Sequence, residues 1–211
     1  MLLCFCALFA FPLLLSASSP ILVDDYSQGL SRWKEKSFKG NTLYQVVQTD
    51  RGPAIQARSR GAASGLYREM EFDPAQHPVL SWSWKISGVL EKGDARTKQG
   101  DDYAARVYVV FPSVLFWRTK ALNYIWANKL EKGAVVKNAY TSNAMMIAVQ
   151  SGNENAGRWV QEKRNLVEDY RRAFGEDPPG AGAVAVMTDT DDTGESATAW
   201  YGRILLLPRG S

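Results

Sequence analysis

The sequence predicts an all-β protein: a jelly-roll-type β-sandwich with one short docked α-helix. Three observations carry this. Runs of alternating apolar and polar residues recur along the chain, and Tyr, Trp, Val and Ile are concentrated in them. Gly, Pro, Asn and Asp punctuate the intervals between these runs. A single stretch combines helical spacing with start and stop signals.

The chain opens on an apolar run, residues 2–15, interrupted by Pro12. It is shorter than the ~20 residues of a spanning helix. Ser16, Ala17, Ser18 and Ser19 follow, the order of a secretory signal peptide over residues 1–18. No Lys or Arg precedes the run, so an uncleaved anchor is the alternative. Cleavage near Ser18 would remove Cys4 and Cys6 and leave one domain over residues 19–211, without cysteine. That domain is expected to be periplasmic or extracellular, with no stable membrane span.

The strands follow in order. Residues 42–48, 54–59 and 65–72 are the first candidates. In residues 79–86, Leu80, Trp82, Trp84 and Ile86 share one face and Ser81, Ser83 and Lys85 the other, which is a half-buried strand. Residues 105–111 alternate likewise, with Val107, Val109 and Phe111 inward and Arg106 and Tyr108 outward. Residues 143–150, 158–164, 182–188 and 197–206 complete the set, and 120–129 fits either a helix or a strand. The helix spans about 166–174. Asn165 and Glu168 form a capping box, Leu166, Tyr170, Ala173 and Phe174 follow at helical spacing, and Gly175 and Pro178-Pro179 end it. Two connections, 87–101 and 112–142, are long for a compact domain, and such loops tend to carry function. The first, with Lys92-Gly93-Asp94 and Thr97-Lys98-Gln99-Gly100, reads as mobile. The second holds Phe116, Trp117, Tyr124, Ile125 and Trp126, so part of it must pack.

Composition narrows the function classes. Hydrophobic residues are 45% and charged residues 22%, which excludes disorder, collagen and coiled coil. The basic excess between Arg32 and Arg68 is spread over several strands, whereas nucleic-acid binders gather such charge on one face, so no nucleic-acid partner is expected. The only histidine, His77, lies in a Pro-bounded turn, and no GxSxG nucleophile motif accompanies it. Residues 180–185 match GxGxxA, but prolines precede them and a Val-rich strand follows, so a dinucleotide site is rejected.

Two acidic groups stand out. Asp189, Asp191, Asp192 and Glu195 give hard oxygen ligands in one short segment. The segment is not an EF-hand, because Trp200 stands where the bidentate Glu should be. A polar turn, a metal site and a ligand site all remain open for it. No cofactor is required; Ca²⁺ is the metal this segment would take, on Asp189, Asp191 and Asp192. Asp101 and Asp102 form the second group, with Glu162 as a further carboxylate for acid–base chemistry. Aromatic rings beside amides and charges are what sugar sites use, since rings cover C–H faces and polar groups bond hydroxyls. Tyr108 beside Arg106, and Trp126 beside Asn123, fit that pattern. The candidate ligand-binding residues are therefore Asp101, Asp102, Arg106, Tyr108, Asn123, Trp126, Gln150, Asp189, Asp191 and Asp192, with Arg106 pairing Asp102 or Asp189.

Several longer motifs occur in one order: residues 100–111 (GDDYAARVYVVF), 123–128 (NYIWAN), 149–152 (VQSG), 168–175 (EDYRRAFG) and 187–191 (MTDTD). Together they resemble the signatures of the DUF3047 family from about Val23 onward. That family is of unknown function, so the resemblance implies a mostly bacterial exported domain and little chemistry. Residues 22–26 (LVDDY) are similar to the openings of jelly-roll carbohydrate-binding modules. The expected function is binding of a polar ligand such as a glycan. A glycan-active hydrolase or lyase on the same scaffold, and a non-catalytic structural envelope protein, are the rivals.

Overall fold

The computed structural model describes residues 18–210. The apolar opening and both cysteines lie outside them. Among the described residues no helix is long and apolar enough to cross a membrane.

Two sheets face each other. The first contains β1 (Ile21–Asp24), β3 (Leu43–Thr49), β4 (Gly52–Arg60), β6 (Val79–Ile86), β11 (Val160–Asn165) and β13 (Ser196–Leu207). Its order is β11-β6-β13-β4-β3, with β1 pairing β13. The second contains β2 (Lys34–Lys39), β5 (Ala63–Phe72), β7 (Arg106–Phe111), β8 (Lys120–Ala127), β9 (Val135–Lys137), β10 (Ala144–Ser151) and β12 (Ala181–Asp189). Its order is β2-β5-β12-β7-β8-β10-β9. This is the jelly-roll-type sandwich that the alternation predicts, and residues 120–129 resolve into strand β8.

The pairings are antiparallel except β8 with β10, which run parallel. A parallel pair needs a crossover of a dozen or more residues. Residues 128–143 supply it, and β9 folds back along β10 within that crossover.

The core lies between the sheets. Leu80, Trp82, Trp84 and Ile86 of β6 are fully buried, as are Val107 and Val109 of β7. Trp82 lies 5.3 Å from the ring of Tyr124, and Trp84 lies 5.6 Å from that of Trp126. Aromatic pairs at such separations add to the burial of their area. They join β6 of one sheet to β8 of the other.

Helix α1 (Leu166–Phe174) follows β11 directly. Asn165 Oδ1 accepts from the backbone N–H groups of Val167 and Glu168, at 3.1 and 3.2 Å. The Glu168 carboxylate accepts from the Asn165 side-chain amide at 2.8 Å, a variant of the reciprocal box. Gly175 closes the helix in the left-handed conformation, φ 74°. Leu166 and Tyr170 are buried, and Tyr170 packs edge-on against Phe111 at 4.7 Å. Asp169, also buried, accepts from Tyr124 Oη at 2.9 Å and pairs with Arg164. Those bonds fasten the helix to β8 and β11.

The outward face of the seven-stranded sheet is half covered. Ala95, Tyr103 and Leu130 form a second apolar cluster with Ile125, Ala127, Met146 and Ala148. Part of the connection after β6, which its composition reads as mobile, is therefore packed onto the sheet through Ala95 and Tyr103. In the connection after β7, Phe116 and Trp117 stand exposed at a hairpin tip, while Tyr124, Ile125 and Trp126 are buried in β8.

Candidate functional site

The uncovered half of that outward face is a cleft of about 410 Å³. Period two decides its floor. Because Val107, Val109 and Phe111 fill the core, Arg106 and Tyr108 point outward from β7. Register then places Asn123 of β8 opposite Tyr108, and Met187 of β12 opposite Arg106. The walls come from connections. Asp101 precedes β7, Asn138 and Tyr140 precede β10, and Asp191 and Asp192 lie in the turn after β12. Phe38 of β2 stands at the far side, 67% exposed, and Tyr140 at the near side, 56% exposed.

Arg106 is the anchor of the floor. Its side chain is 5% exposed, and that of Asp189 is 3% exposed. Nε donates to Asp189 Oδ1 at 2.9 Å, and Nη2 donates to Asp189 Oδ2 and to the Asp101 carbonyl. Nη1 reaches Tyr108 Oη at 3.3 Å, and the guanidinium lies 4.4 Å from the centre of the Tyr103 ring. Asp189 Oδ1 also accepts from the Tyr103 N–H at 3.1 Å. Burial opposes the charge on Arg106, but the surrounding phenols and carboxylates outweigh it and raise its pKa. This is a bidentate pair of the kind in which arginine is not replaceable by lysine.

Asp101 Oδ2 accepts from Asn138 Nδ2 at 2.7 Å and lies 3.9 Å from Arg106 Nη1, and the Tyr103 hydroxyl stands beside the same carboxylate. Burial raises the Asp101 pKa, with Arg106 acting the other way. Asn123 Nδ2 meets the Met146 sulfur at 3.1 Å, and the Tyr108 hydroxyl lies beside the same side chain. Burial likewise raises the pKa of Asp191, and the neighbouring Asp192 and Asp102 carboxylates add to it. Tyr140 Oη donates to the carboxylate of Asp192 at 2.9 Å. Its pKa is pushed up to about 12 by desolvation and by that carboxylate.

A second depression of about 300 Å³ continues the cleft across the sheet and shares Phe38, Tyr108 and Met187 with it. Its floor is low because Gly65 and Ala185 contribute no bulk there. A Cβ on Gly65 would lie 3.3 Å from the Val186 carbonyl.

The structure brings most of the expected residues together. Asp101, Arg106, Tyr108, Asn123, Asp189, Asp191 and Asp192 line the cleft, and Asp102 lies fully buried beside it. Two do not belong. Trp126 follows Tyr124 at period two, so its ring faces the core against Trp84, and its indole N–H bonds the Gly152 carbonyl. Gln150 lies just past a register shift in β10 and turns toward the other sheet, where it donates to Glu162 at 2.7 Å. Glu162 is thereby placed outside the cleft as well. The expected metal set also changes. Asp189 is committed to Arg106, and the carboxylates that gather are Asp102, Asp191 and Asp192. Sequence reasoning missed Phe38, Asn138 and Tyr140. Phe38 sits among charges in an exposed strand, and the other two lie in a crossover without periodicity.

The chain is similar to several solved carbohydrate-binding modules. One is the family 11 module from Clostridium thermocellum in complex with a β-1,3-1,4-mixed-linked tetrasaccharide: 14% identity, 92% of this chain and 98% of that one covered, TM-score 0.47. Another is the family 30 module of a cellulosomal cellulase of the same organism: 12% identity, 85% and 93% covered, TM-score 0.48. No curated protein matches the chain. A family model described as "Protein of unknown function (DUF3047)" matches residues 31–205, and with the match spanning most of its length, the chain belongs to the DUF3047 family.

Proposed function

We propose that this chain binds a polyhydroxylated ligand, with a glycan as the first choice, along the outward face of the seven-stranded sheet. The observation that carries the reading is a cleft whose lining sets polar side chains, Asp101, Arg106 and Asn123, between the exposed rings of Phe38 and Tyr140. Sugar hydroxyls both donate and accept, so carboxylate, amide and guanidinium groups on one cleft can bond them. The flanking rings offer apolar faces for C–H surfaces. Acid–base catalysis is less well supported, because Asp189 is held by Arg106 and Glu162 lies elsewhere.

A glycan array followed by calorimetry tests this. Phe38→Ala and Tyr140→Ala should each weaken binding by roughly tenfold, about 1.4 kcal/mol, with little change in melting temperature. No glycan bound, or affinity unmoved in both variants, would sink the reading. Release of new reducing ends from the bound glycan would replace it with the enzyme.

A further inference from the structure

We propose that Asp102, Asp191 and Asp192 form a binding site for a hard divalent cation at the rim of the cleft, best suited to Ca²⁺. One carboxylate oxygen from each residue lies within 4.8 Å of the others. A cluster of surface carboxylates alone would mean little, since solvent screens such charge. The position of Asp102 is what distinguishes this one. Its side chain is fully buried, its Oδ2 accepts one backbone N–H, from Thr193 at 2.6 Å, and its Oδ1 has no partner. Burying a carboxylate is strongly unfavourable unless a counter-charge and hydrogen bonds compensate it.

The nearby cations supply that compensation only in part: the Arg106 guanidinium interacts with the Asp102 carboxylate but makes no ion pair with it. Arg106 is taken up by Asp189 and the Asp101 carbonyl. Lys39 is 62% exposed, donates to the Asp191 carbonyl at 3.0 Å and lies 3.9 Å from the Asp191 carboxylate. Among the described residues no ion pair reaches Asp102 or Asp192. Three carboxylates thus converge with one loosely held ammonium at their edge.

The site is built in other respects. Tyr140 Oη holds Asp192, and the Thr193 N–H orients Asp102. The turn itself is fastened, with Thr190 Oγ1 at 2.8 Å from Ser59 Oγ and the Gly194 N–H donating to the Thr190 carbonyl at 3.0 Å. The donors are all oxygen, which selects hard cations over zinc or copper. Ca²⁺ accepts six to eight oxygens in irregular geometry, so three carboxylates can be completed by water and backbone carbonyls, whereas Mg²⁺ demands a near-ideal octahedron.

Terbium titration of the full chain tests it. Tb³⁺ substitutes for Ca²⁺, and Tyr140, bonded to Asp192, is placed to sensitise its emission. Saturable emission displaced by Ca²⁺, weakened at least tenfold in Asp191→Asn/Asp192→Asn, is the expected result. The single variant Asp192→Asn serves where the double variant loses its circular-dichroism spectrum. In parallel, the melting temperature of the wild-type chain should rise with Ca²⁺ and return with chelator. No saturable emission and no Ca²⁺-dependent shift in the wild type would overturn the proposal. So would equal affinity in a folded variant.

Discussion

Arg106 bears most of the electrostatics of the cleft floor, and its exposure decides what its loss should cost. An exposed pair is worth ~0–1 kcal/mol, whereas removing one partner of a buried pair costs ~3–5 kcal/mol, because the other charge stays behind unpaired. With both side chains at least 95% buried, Arg106 and Asp189 belong to the second class. Arg106→Ala should therefore lower the unfolding free energy by ~3–5 kcal/mol in urea melts. Arg106→Lys should recover little, since one ammonium cannot reproduce the fork that reaches Asp189, the Asp101 carbonyl and Tyr108. A loss below ~1 kcal/mol for Arg106→Ala would put the pair in the solvent-screened class. The outward direction of Arg106 was legible from the alternation of its strand, and Asp189 was one of two partners that the charges offered. The choice between Asp102 and Asp189 depends on how the turn after β12 folds back, which no local pattern carries. Trp126 shows the opposite case. Its amide neighbours suggested a sugar platform, yet the same period-two rule, carried from β7 into β8, turns it into the core.

At the scale of elements, legibility follows local signal. β6 and β7 alternate cleanly, and that alternation marks their bounds nearly to the residue. The helix is legible because Asn165, Glu168 and Gly175 mark its ends. β2 carries the sequence KEKSFK and is exposed throughout, so it has no apolar face for a pattern to reveal. It is an edge strand, and its lysines are what keeps such an edge from pairing with another chain. β1 and β9 are too short for a period. The helix yields a prediction at this scale. Asn165 satisfies two N–H groups that the first turn leaves free, so Asn165→Ala should cost ~1 kcal/mol in denaturant melts. The effect should stay that small because Leu166 and Tyr170, not the cap, hold the helix to the sandwich. A change indistinguishable from zero would show that Glu168 or water replaces the cap.

At the scale of the whole molecule, the site is a consequence of covering one face unevenly. The connection after β6 and the parallel crossover between β8 and β10 both lie over the end of the sheet near Ile125 and Met146. They leave the remainder open, and the open part runs from Asn123 past Tyr108 and Met187 to Lys36. None of this is visible in a linear pattern, because it depends on two long connections choosing the same side of the sheet. The strands β8, β7, β12, β5 and β2 pass beneath the groove, and neighbouring strands lie ~4.8 Å apart, so its length is roughly 20 Å. The two ends differ in character. Charges and amides gather near Arg106, while Tyr67, Val110 and Ala185 make the far half apolar. A short ligand can use only the polar end, and a longer one also covers apolar floor. If a glycan occupies the groove, affinity should climb along an oligosaccharide series and level off once the extended ligand exceeds roughly 20 Å. Tyr67→Ala should remove the gain of the longer members and leave the shortest unaffected. A monosaccharide that binds as tightly as its oligomers would confine recognition to the pocket around Arg106 and rule out the groove as its extension.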